Sequence, residues 1–320
     1  MRPEIQQGIL TITLNPAVDL ATSVERVVAG PKLYCRKPRI DPGGGGVNVA
    51  RAIRKLNGSA KALVAVGGVS GHRLLDLLAA EAVPVHPVQI GGETRESFAV
   101  TDESDGTQYR FSLPGDTLGS ETAELLISEI VSQSPRDGYV VLSGGVAPGL
   151  GDDYPECIRA ALSSVTDRLI VDTSKRALEK LISDPVAPLF LLRLDKREAE
   201  QAAGHAIASL QEAAEFAQHM IGRGVAHHIS ISGAAAGSVL VTENRRYICR
   251  APEVPVVSKI GAGDAFVGSL TLSLARGAGF DVALQWGVAA ATATMSTEGT
   301  GLCALPDVEA LLPLCEVQSF

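Results

Sequence analysis

The sequence has few of the features that mark several common protein classes. Only 4% of its residues are aromatic, and no uninterrupted apolar run approaches the roughly 18 residues that a membrane span requires. The five cysteines are scattered without Cys-x-x-Cys spacing, which argues against a zinc site and a disulfide framework. A net charge of −8 argues against broad binding to nucleic acid or anionic membranes. We therefore expect a cytoplasmic protein with reduced thiols that binds neither nucleic acid nor membrane.

Several ligand-binding and catalytic motifs are also missing. The sequence contains no Gly-Lys pair and hence no Walker A loop, and no Gly-x-Gly-x-x-Gly follows a predicted strand. The interpretation of the chain as a dinucleotide-binding oxidoreductase therefore loses its main support. The His-Glu-x-x-His and Gly-x-Ser-x-Gly patterns are absent, which weakens metalloprotease and serine-hydrolase interpretations. The six histidines show no spacing typical of metal ligands.

Short apolar runs alternate along the chain with helical patterns. Hydrophobic residues make up 46% of the sequence, and runs such as 9–14, 139–142 and 229–231 predict buried strands. Segments 47–56 and 72–81 predict helices between such strands. This alternation is typical of an α/β fold in which helices cover both faces of a parallel sheet. In such folds, ligands bind beyond the carboxyl ends of the strands.

Two stretches interrupt this α/β pattern. Residues 18–40 are polar with little helical periodicity, while residues 93–114 predict a hairpin that turns at Asp105-Gly106. We expect both stretches to form one small β-sheet that acts as a lid on the core. The predicted division is a core of residues 1–14, 43–88 and 114–320, and a lid of residues 15–42 and 89–113.

The segment Gly261-Ala262-Gly263-Asp264 opens directly into an apolar, helix-forming run. Its glycines permit a tight turn whose free N–H groups, at the positive end of a helix dipole, favour an anion. A carboxylate at Asp264 would be repelled by a bound phosphate, so its presence suggests a general base beside a transferring phosphoryl group. The alternative is an ordinary turn in which Asp264 only caps the helix.

A second glycine-rich segment, residues 43–46, also leads straight into a predicted helix. Four successive glycines would let a ligand lie against bare backbone, and Asn48 in the first helical turn could offer its amide to a sugar hydroxyl. A flexible linker is the alternative, but linkers rarely run directly into a helix that carries Asn48 and Arg51 on its first turns.

Together, blocks 41–51 and 261–264 resemble the two signatures of the PfkB-type branch of the ribokinase superfamily. The resemblance extends over nearly the whole chain and includes residues 14–19, 67–71 and 143–149 and Ser258. It implies a ribokinase-like parallel-sheet core with helices on both faces and a small β-sheet lid. Within the family, the chain most resembles the 6-phosphofructokinases, because Gly45 stands where 1-phosphofructokinases and many tagatose-6-phosphate kinases carry a lysine.

The resemblance implies a glycolytic reaction, the ATP-dependent phosphorylation of the 1-hydroxyl of fructose 6-phosphate. Asp264 would take the proton, the amides of Gly261, Ala262 and Gly263 would stabilise the transferred phosphoryl group, and Mg²⁺ would accompany ATP. The lids of relatives pair across two subunits, which implies a homodimer. Tagatose 6-phosphate, fructose 1-phosphate or a non-phosphorylated sugar are alternative substrates. A catalytically weak sugar-phosphate sensor is an alternative from another functional class.

The resemblance also assigns binding residues. The sugar phosphate would contact Asp19, Lys32, Gly44, Gly45, Asn48 and Arg95, and the nucleotide would contact Arg193, Asp195, Ser232 and Gly237. Glu198 would help to hold Mg²⁺ through water, although an ordinary glutamate at a helix N-terminus would look the same. The chain departs from the family at Arg193-Leu194-Asp195, where Lys-Pro-Asn is usual, and at Tyr34, where close relatives often place a second basic lid residue.

Overall fold

The computed structural model describes residues 6–233, 236–297 and 299–320. Its strands are β1 (Ile9–Thr13), β2 (Ala17–Val24), β3 (Arg39–Gly43), β4 (Lys61–Val66), β5 (Val85–Gln89), β6 (Arg95–Asp102), β7 (Gln108–Ser112), β8 (Tyr139–Ser143), β9 (Leu169–Asp172), β10 (Leu189–Asp195), β11 (Ala226–Ser232), β12 (Ser238–Thr242), β13 (Arg246–Arg250) and β14 (Glu316–Ser319). Its helices are α1 (Gly45–Lys55), α2 (Gly68–Ala80), α3 (Ser120–Gln133), α4 (Tyr154–Leu162), α5 (Lys175–Ser183), α6 (Lys196–Ala203), α7 (Leu210–Gly222), α8 (Ala262–Ala275), α9 (Phe280–Met295) and α10 (Leu305–Leu311), with a 3-10 turn at Leu312–Leu314.

A ten-stranded sheet forms the centre of the molecule, in the order β14-β13-β12-β11-β10-β9-β8-β1-β4-β5. The strands from β11 through β8, β1 and β4 to β5 are parallel, and β12, β13 and β14 add an antiparallel edge. The chain runs from β1 to β4 on one side and later adds β8 on the other. This change of direction creates a crevice at the carboxyl ends of β1 and β8, where ligands bind in such sheets.

Alternate residues along the central strands enter two separate hydrophobic cores. Ile9 and Val141 lie in the core beneath α1, α2, α8 and α9, whereas Leu10 and Leu142 lie in the core beneath α3, α4, α5 and α7. Because side chains on a strand point alternately to opposite faces, helices cover both faces of the sheet. This arrangement confirms the predicted α/β fold class.

A separate four-stranded sheet has the order β3-β2-β6-β7. The parallel pairing of β2 with β6 joins the two interrupting stretches of the sequence into one sheet, as predicted. The hairpin expected in residues 93–114 is present as β6 and β7.

Two helices begin earlier than the sequence pattern indicates. Helix α1 starts at Gly45 and α2 at Gly68, each inside a glycine-rich segment that was expected to precede the helix. Gly44 caps α1 with a φ of 111°, a conformation that glycine adopts without a steric penalty. The amides of Gly45 and Gly46 therefore belong to the first turn of α1. No helix among the described residues is sufficiently long and apolar to span a bilayer.

Candidate active site

The Asp264 carboxylate lies in the first turn of α8, where three elements meet. Its Oδ2 accepts a hydrogen bond of 3.0 Å from Nδ2 of Asn48 on α1, and its Oδ1 accepts one of 3.4 Å from the Ser143 hydroxyl at the end of β8. The two helices can approach closely because Gly268 of α8 packs against the backbone of Val49 and the side chain of Ala52. Gly261, with a φ of 76°, caps α8 in the left-handed conformation that glycine favours.

The environment of Asp264 suits a group that accepts a proton near neutral pH. Burial and the nearby carboxylate of Asp172 raise the pKa of Asp264 to about 7, against the opposing effects of Asn48, Arg193 and Ser143. A general base is most effective when its pKa lies near the working pH. The geometry and the charges around Asp264 therefore favour an acid–base role over simple helix capping.

A row of polar side chains occupies the carboxyl ends of β8, β9, β10 and β11. The Ser143 hydroxyl also lies 3.3 Å from Oδ2 of Asp172, so its single proton serves either this carboxylate or that of Asp264. The Asp172 carboxylate pairs with Nη1 of Arg193 at 3.2 Å. Arg193 also donates from Nη2 to the Ser232 hydroxyl at 3.2 Å, and its guanidinium lies against Gly263 at the start of α8. The positive charge of Arg193 thus lies beside the N-terminus of α8, and together they favour the binding of an anion at this end of the helix.

Ser143 and Asp172 were not singled out as site residues by sequence reasoning. The available signal was their position, since each directly follows an apolar run that forms a parallel strand. Parallel strands align their carboxyl ends at one edge of the sheet, so such residues converge. Which of several strand-end residues touch one another depends on strand order, and that order is visible only in the fold.

A cavity of about 220 Å³ lies between the small sheet and the N-termini of α1 and α8. Seven residues predicted to act in substrate binding or catalysis line it: Asp19, Gly44, Gly45, Asn48, Arg95, Gly261 and Asp264. Other lining residues were not predicted, and they include Ser97, Arg110, Ser112, Ile260 and Thr300. The structure therefore brings together residues from the small sheet, from the glycine-rich segment 43–46 and from the segment 261–264.

Two arginines from the small sheet reach this cavity. Arg95 donates from Nη1 to the hydroxyls of Ser97 and Ser112, at 3.1 and 2.7 Å, and Arg110 lies two residues before Ser112 on β7. Burial raises the pKa of Asp19 to about 6, although Arg95 and Arg110 act in the opposite direction. Arg110 was missed by sequence reasoning, although alternation along β7 puts it on the same face as Ser112.

Lys32 lies outside the cavity in this single chain. It is exposed, and its ammonium lies 5.4 Å from the ring centre of Tyr34, which is itself 80% exposed. The segment that carries both residues connects β2 to β3 and is far less buried than Arg95. A role for Lys32 in phosphate binding therefore requires a contact that one isolated chain does not make.

Asp195 and Glu198 form a reciprocal cap at the start of α6. The Asp195 side chain accepts from the Glu198 amide at 2.7 Å, and the Glu198 carboxylate accepts from the Asp195 amide at 2.8 Å. Glu198 also lines a different cavity, of about 450 Å³, between α5 and α6. The helix-capping interpretation of Glu198 thus has direct geometric support.

The proposed nucleotide loop, residues 232–237, is described only in part, because Ala234 and Ala235 lie outside the described residues. Ser232 ends β11 and bonds to Arg193, and Gly237 accepts a backbone hydrogen bond of 2.7 Å from Gly233. Gly237 has a φ of 112° and no room for a side chain beside the carbonyl of Cys249. Ser232 therefore holds the start of this loop beside the Arg193 guanidinium.

Comparison with known proteins identifies the family to which the chain belongs. The chain matches the pfkB family carbohydrate kinases over residues 12–308. It is 36% identical over 306 residues to the ATP-dependent 6-phosphofructokinase isozyme 2 of Mycobacterium tuberculosis, covering 96% of this chain and 89% of that protein. It is 29% identical to the 1-phosphofructokinase of Bacillus subtilis, with 92% and 94% of the two chains covered.

Among solved structures, the fold matches phosphofructokinase-2 from Escherichia coli in complex with substrates and products. The TM-score is 0.90 at 32% identity, covering 96% of this chain and 99% of that chain. The same E. coli enzyme has also been solved in a tetrameric inhibited form. The family match spans most of the sequence, and both the sequence and the fold of these relatives align over nearly the whole chain. The protein therefore belongs to the pfkB family of carbohydrate kinases.

Proposed function

We propose that this protein transfers the γ-phosphoryl group of ATP to the 1-hydroxyl of fructose 6-phosphate. The observation that carries the proposal is the placement of Asp264. Its carboxylate has a pKa of about 7, lies at the N-terminus of α8, and faces a cavity that also holds Arg95 and Arg110. The names of relatives from M. tuberculosis and E. coli support the same activity.

In this reaction Asp264 accepts the proton of the attacking hydroxyl as the new O–P bond forms. The amides of Gly261, Ala262 and Gly263 begin α8 and can donate to the negative charge on the transferred phosphoryl group. Arg193, which lies against Gly263, adds a positive charge on the same side. Asp19 and Asn48 line the cavity and hold the sugar hydroxyls, which orients the reacting oxygen.

The carboxylates near the proposed nucleotide site suit a magnesium ion that is bound mainly by phosphates and water. Among the described residues, no group of three or more His, Cys, Asp or Glu side chains could hold a metal by itself. Glu198 uses Oε2 in its helix cap, and its Oε1 accepts no hydrogen bond from any described residue, so this oxygen can bind a metal-coordinated water. Mg²⁺ typically keeps several waters and binds few carboxylates. When bound, it would neutralise charge on the ATP phosphates.

The charges of the cavity favour a ketose 6-phosphate over a non-phosphorylated sugar. Arg95 and Arg110 both line the cavity from the lid, and guanidinium groups bind phosphate oxygens in well-defined geometry. The glycine run offers no lysine, because Gly45 occupies the position that carries it in 1-phosphofructokinases. Fructose 1-phosphate stays the second candidate, since a 1-phosphofructokinase is among the relatives.

The experiment that tests this function measures ADP release from MgATP by the purified protein. The sugars are fructose 6-phosphate, tagatose 6-phosphate, fructose 1-phosphate and ribose. A clear preference in kcat/KM for fructose 6-phosphate is expected. Preference for another sugar phosphate would contradict the substrate assignment while keeping the reaction class. Tight binding of a sugar phosphate without turnover would indicate a sensor and overturn the proposal.

The rate is expected to depend on pH through Asp264. Because the base must be ionised to accept a proton and its pKa is about 7, kcat/KM should fall about tenfold per unit as the pH drops below 7. The measurement is kcat/KM for the preferred sugar from pH 5.5 to 8.5, with a check that the protein stays folded. A profile that remains flat down to pH 5.5 would contradict the assignment of Asp264 as the base.

We also propose that two copies pair through the outer faces of their lids. An apolar face of the small sheet forms a depression of about 360 Å³, lined by Leu20, Phe98, Val100 and Phe111 among others. Leu20, Phe98 and Phe111 also border the sugar cavity. Phe111 is 56% exposed in the single chain. An exposed apolar patch of this kind usually marks an interaction surface. The segment that carries Lys32 adjoins this face, so pairing would bring Lys32 toward the second copy.

A Val100→Asp variant is expected to sediment as a monomer, because it puts a charge in the middle of this apolar face. Sedimentation velocity measures the mass of the wild-type protein and of the variant. Because an inhibited form of the E. coli enzyme is a tetramer, the masses of monomer, dimer and tetramer are all compared. The matched control is Val69→Asp, since Val69 is 82% exposed on α2. A monomeric wild-type protein, or a variant that still associates like wild type, would rule out pairing through the lids.

A further inference from the structure

Arg51 is a buried arginine on α1 that does not line the sugar cavity. It is 1% exposed, and its Nε and Nη2 donate to the Glu81 carboxylate at 2.9 and 2.6 Å. Its Nη1 donates to the Pro42 carbonyl at 3.0 Å and to Oδ1 of Asn48 at 3.1 Å. Asp41 Oδ1 lies 3.6 Å from Nη2. The guanidinium is therefore held rigidly, and one of its donors is aimed at the side chain that contacts Asp264.

The chemistry of these groups determines which way the Asn48 amide points. Arginine has five N–H donors and no acceptor, so the Asn48 atom that faces Arg51 must be the oxygen. The amide nitrogen then faces Asp264, to which it donates at 3.0 Å. A donor in that position stabilises an ionised carboxylate but offers nothing to the proton of a neutral carboxylic acid. Arg51 thus selects the ionised form of Asp264 through one intervening amide.

We propose that Arg51 is a positioning residue, which locks the Asn48 amide so that Asp264 stays ready to accept a proton. This inference rests on the proposed kinase reaction for its purpose, but its geometry is independent of the substrate. Without Arg51 the amide can rotate, present Oδ1 to Asp264 and accept a hydrogen bond from the neutral acid. The neutral form of the base is then stabilised, and a higher pH is needed to ionise it.

Other groups also face Asp264, and they remain in place when Arg51 is replaced. Ser143 approaches from β8, Asp172 from β9 and Arg193 from β10, while Asn48 is the contact from α1. None of the first three is hydrogen-bonded to Arg51. Arg51 also lowers the pKa of Asp19 in the sugar cavity, so the titration of the Asp264 carboxyl itself, rather than activity alone, reports the effect of the Asn48 amide.

The test uses two variants, because removal of the arginine alone would leave the Glu81 carboxylate without its partner. The double variant Arg51→Met/Glu81→Met replaces the ion pair by apolar side chains of similar length, and Asp41 keeps its contact with Arg39 at 2.7 Å. The single variant Arg51→Lys keeps the charge but not the guanidinium geometry. The control is Arg54→Met, since Arg54 lies exposed on the same helix and has no contact with Asn48.

The readouts are the carboxyl ¹³C shift of Asp264 as a function of pH, assigned with Asp264→Asn, and the pH profile of kcat/KM. In the double variant we expect the midpoint of both curves to rise by about 0.5 to 1 unit. At pH 6.5 this corresponds to a roughly three- to tenfold lower kcat/KM. Arg51→Lys is expected to shift the midpoint less, and Arg54→Met not at all.

A lower activity with an unshifted midpoint would assign Arg51 a merely structural role and overturn the inference. If the double variant does not fold, an unshifted midpoint in the single variant Arg51→Met, which removes every donor to Asn48 and leaves the partly exposed Glu81 carboxylate to solvent, would do the same. If the wild-type protein phosphorylates none of the sugars, the proposed function fails. The ¹³C titration, which needs no substrate, would still decide whether Arg51 controls the ionisation of Asp264.

Discussion

An Asp264→Asn variant is expected to lose roughly 10²- to 10⁴-fold in kcat while KM for the sugar changes little. The amide keeps the size of the carboxylate, and the backbone amides of Gly261, Ala262 and Gly263 stay in place. Asparagine cannot accept the proton of the attacking hydroxyl, so the loss falls on the chemical step. The measurement is steady-state ADP release together with sugar-phosphate binding by calorimetry.

The chain provides a closely matched control for this substitution. Asp281 also lies in the first turn of a helix, α9, but it is exposed and faces no cavity of the site. Asp281→Asn should therefore retain wild-type kcat. If Asp264→Asn turned over at nearly the wild-type rate, Asp264 would be a capping residue and a different group would have to act as the base.

The second large effect is expected for Arg95→Met, which should raise KM for fructose 6-phosphate roughly 10- to 100-fold. A hydrogen bond to a charged group contributes about 1.5–3 kcal/mol, which corresponds to this range. Arg95 also faces Asp19, whose pKa burial has already raised to about 6, so loss of the guanidinium favours the protonated form of Asp19 further. Both effects weaken sugar binding, while KM for ATP should stay within about twofold.

Two further variants make this prediction specific. Arg110→Met should raise the sugar KM in the same way, because Arg110 lines the same cavity from β7. Arg26→Met is the control, since Arg26 is an exposed lid arginine that does not line the cavity. An unchanged sugar KM in both Arg95→Met and Arg110→Met would show that the substrate phosphate binds elsewhere and would reopen the choice among sugars.

The two departures from the family at the nucleotide side have different structural consequences. Asp195 caps α6 in a reciprocal pair with Glu198, a role that an asparagine side chain also performs. Arg193 uses its two terminal nitrogens at once, one on Asp172 and one on Ser232. A lysine ammonium is a single point charge and would not span these two partners in the same fixed geometry.

Local sequence patterns were sufficient to predict most strands and helices, because the formation of these elements depends mainly on residues that are close together in the chain. The period of apolar residues predicted the parallel strands and the helices that cover both faces of the sheet. The hairpin of β6 and β7 followed from alternation around Asp105-Gly106. The starts of α1 and α2 were less well predicted, because glycine has low helix propensity and only the surrounding packing makes glycine-rich turns helical.

The sequence by itself determined the family, the α/β architecture and the presence of Asp264 in the first turn of a helix behind a glycine turn. Each of these depends on residues close together in the chain or on motifs that a family shares. Only the tertiary structure decided that Ser143, Asp172 and Arg193 form one chain of contacts beside Asp264. Strand order brings them together, and strand order is set by the packing of both cores rather than by any local pattern.

The tertiary structure also decided which cations face the sugar cavity. Lys32, Arg95 and Arg110 are indistinguishable by charge, yet Arg95 and Arg110 line the cavity and Lys32 lies exposed in the single chain. The difference arises because pleating points alternate residues of β6 and β7, including Arg95 and Arg110, toward the cavity. Lys32 instead lies in the connection between β2 and β3, outside both sheets. The contacts of the Arg51 guanidinium were likewise not predictable from the sequence. Its partner Glu81 lies at the end of α2, and only the tertiary fold brings the two side chains together.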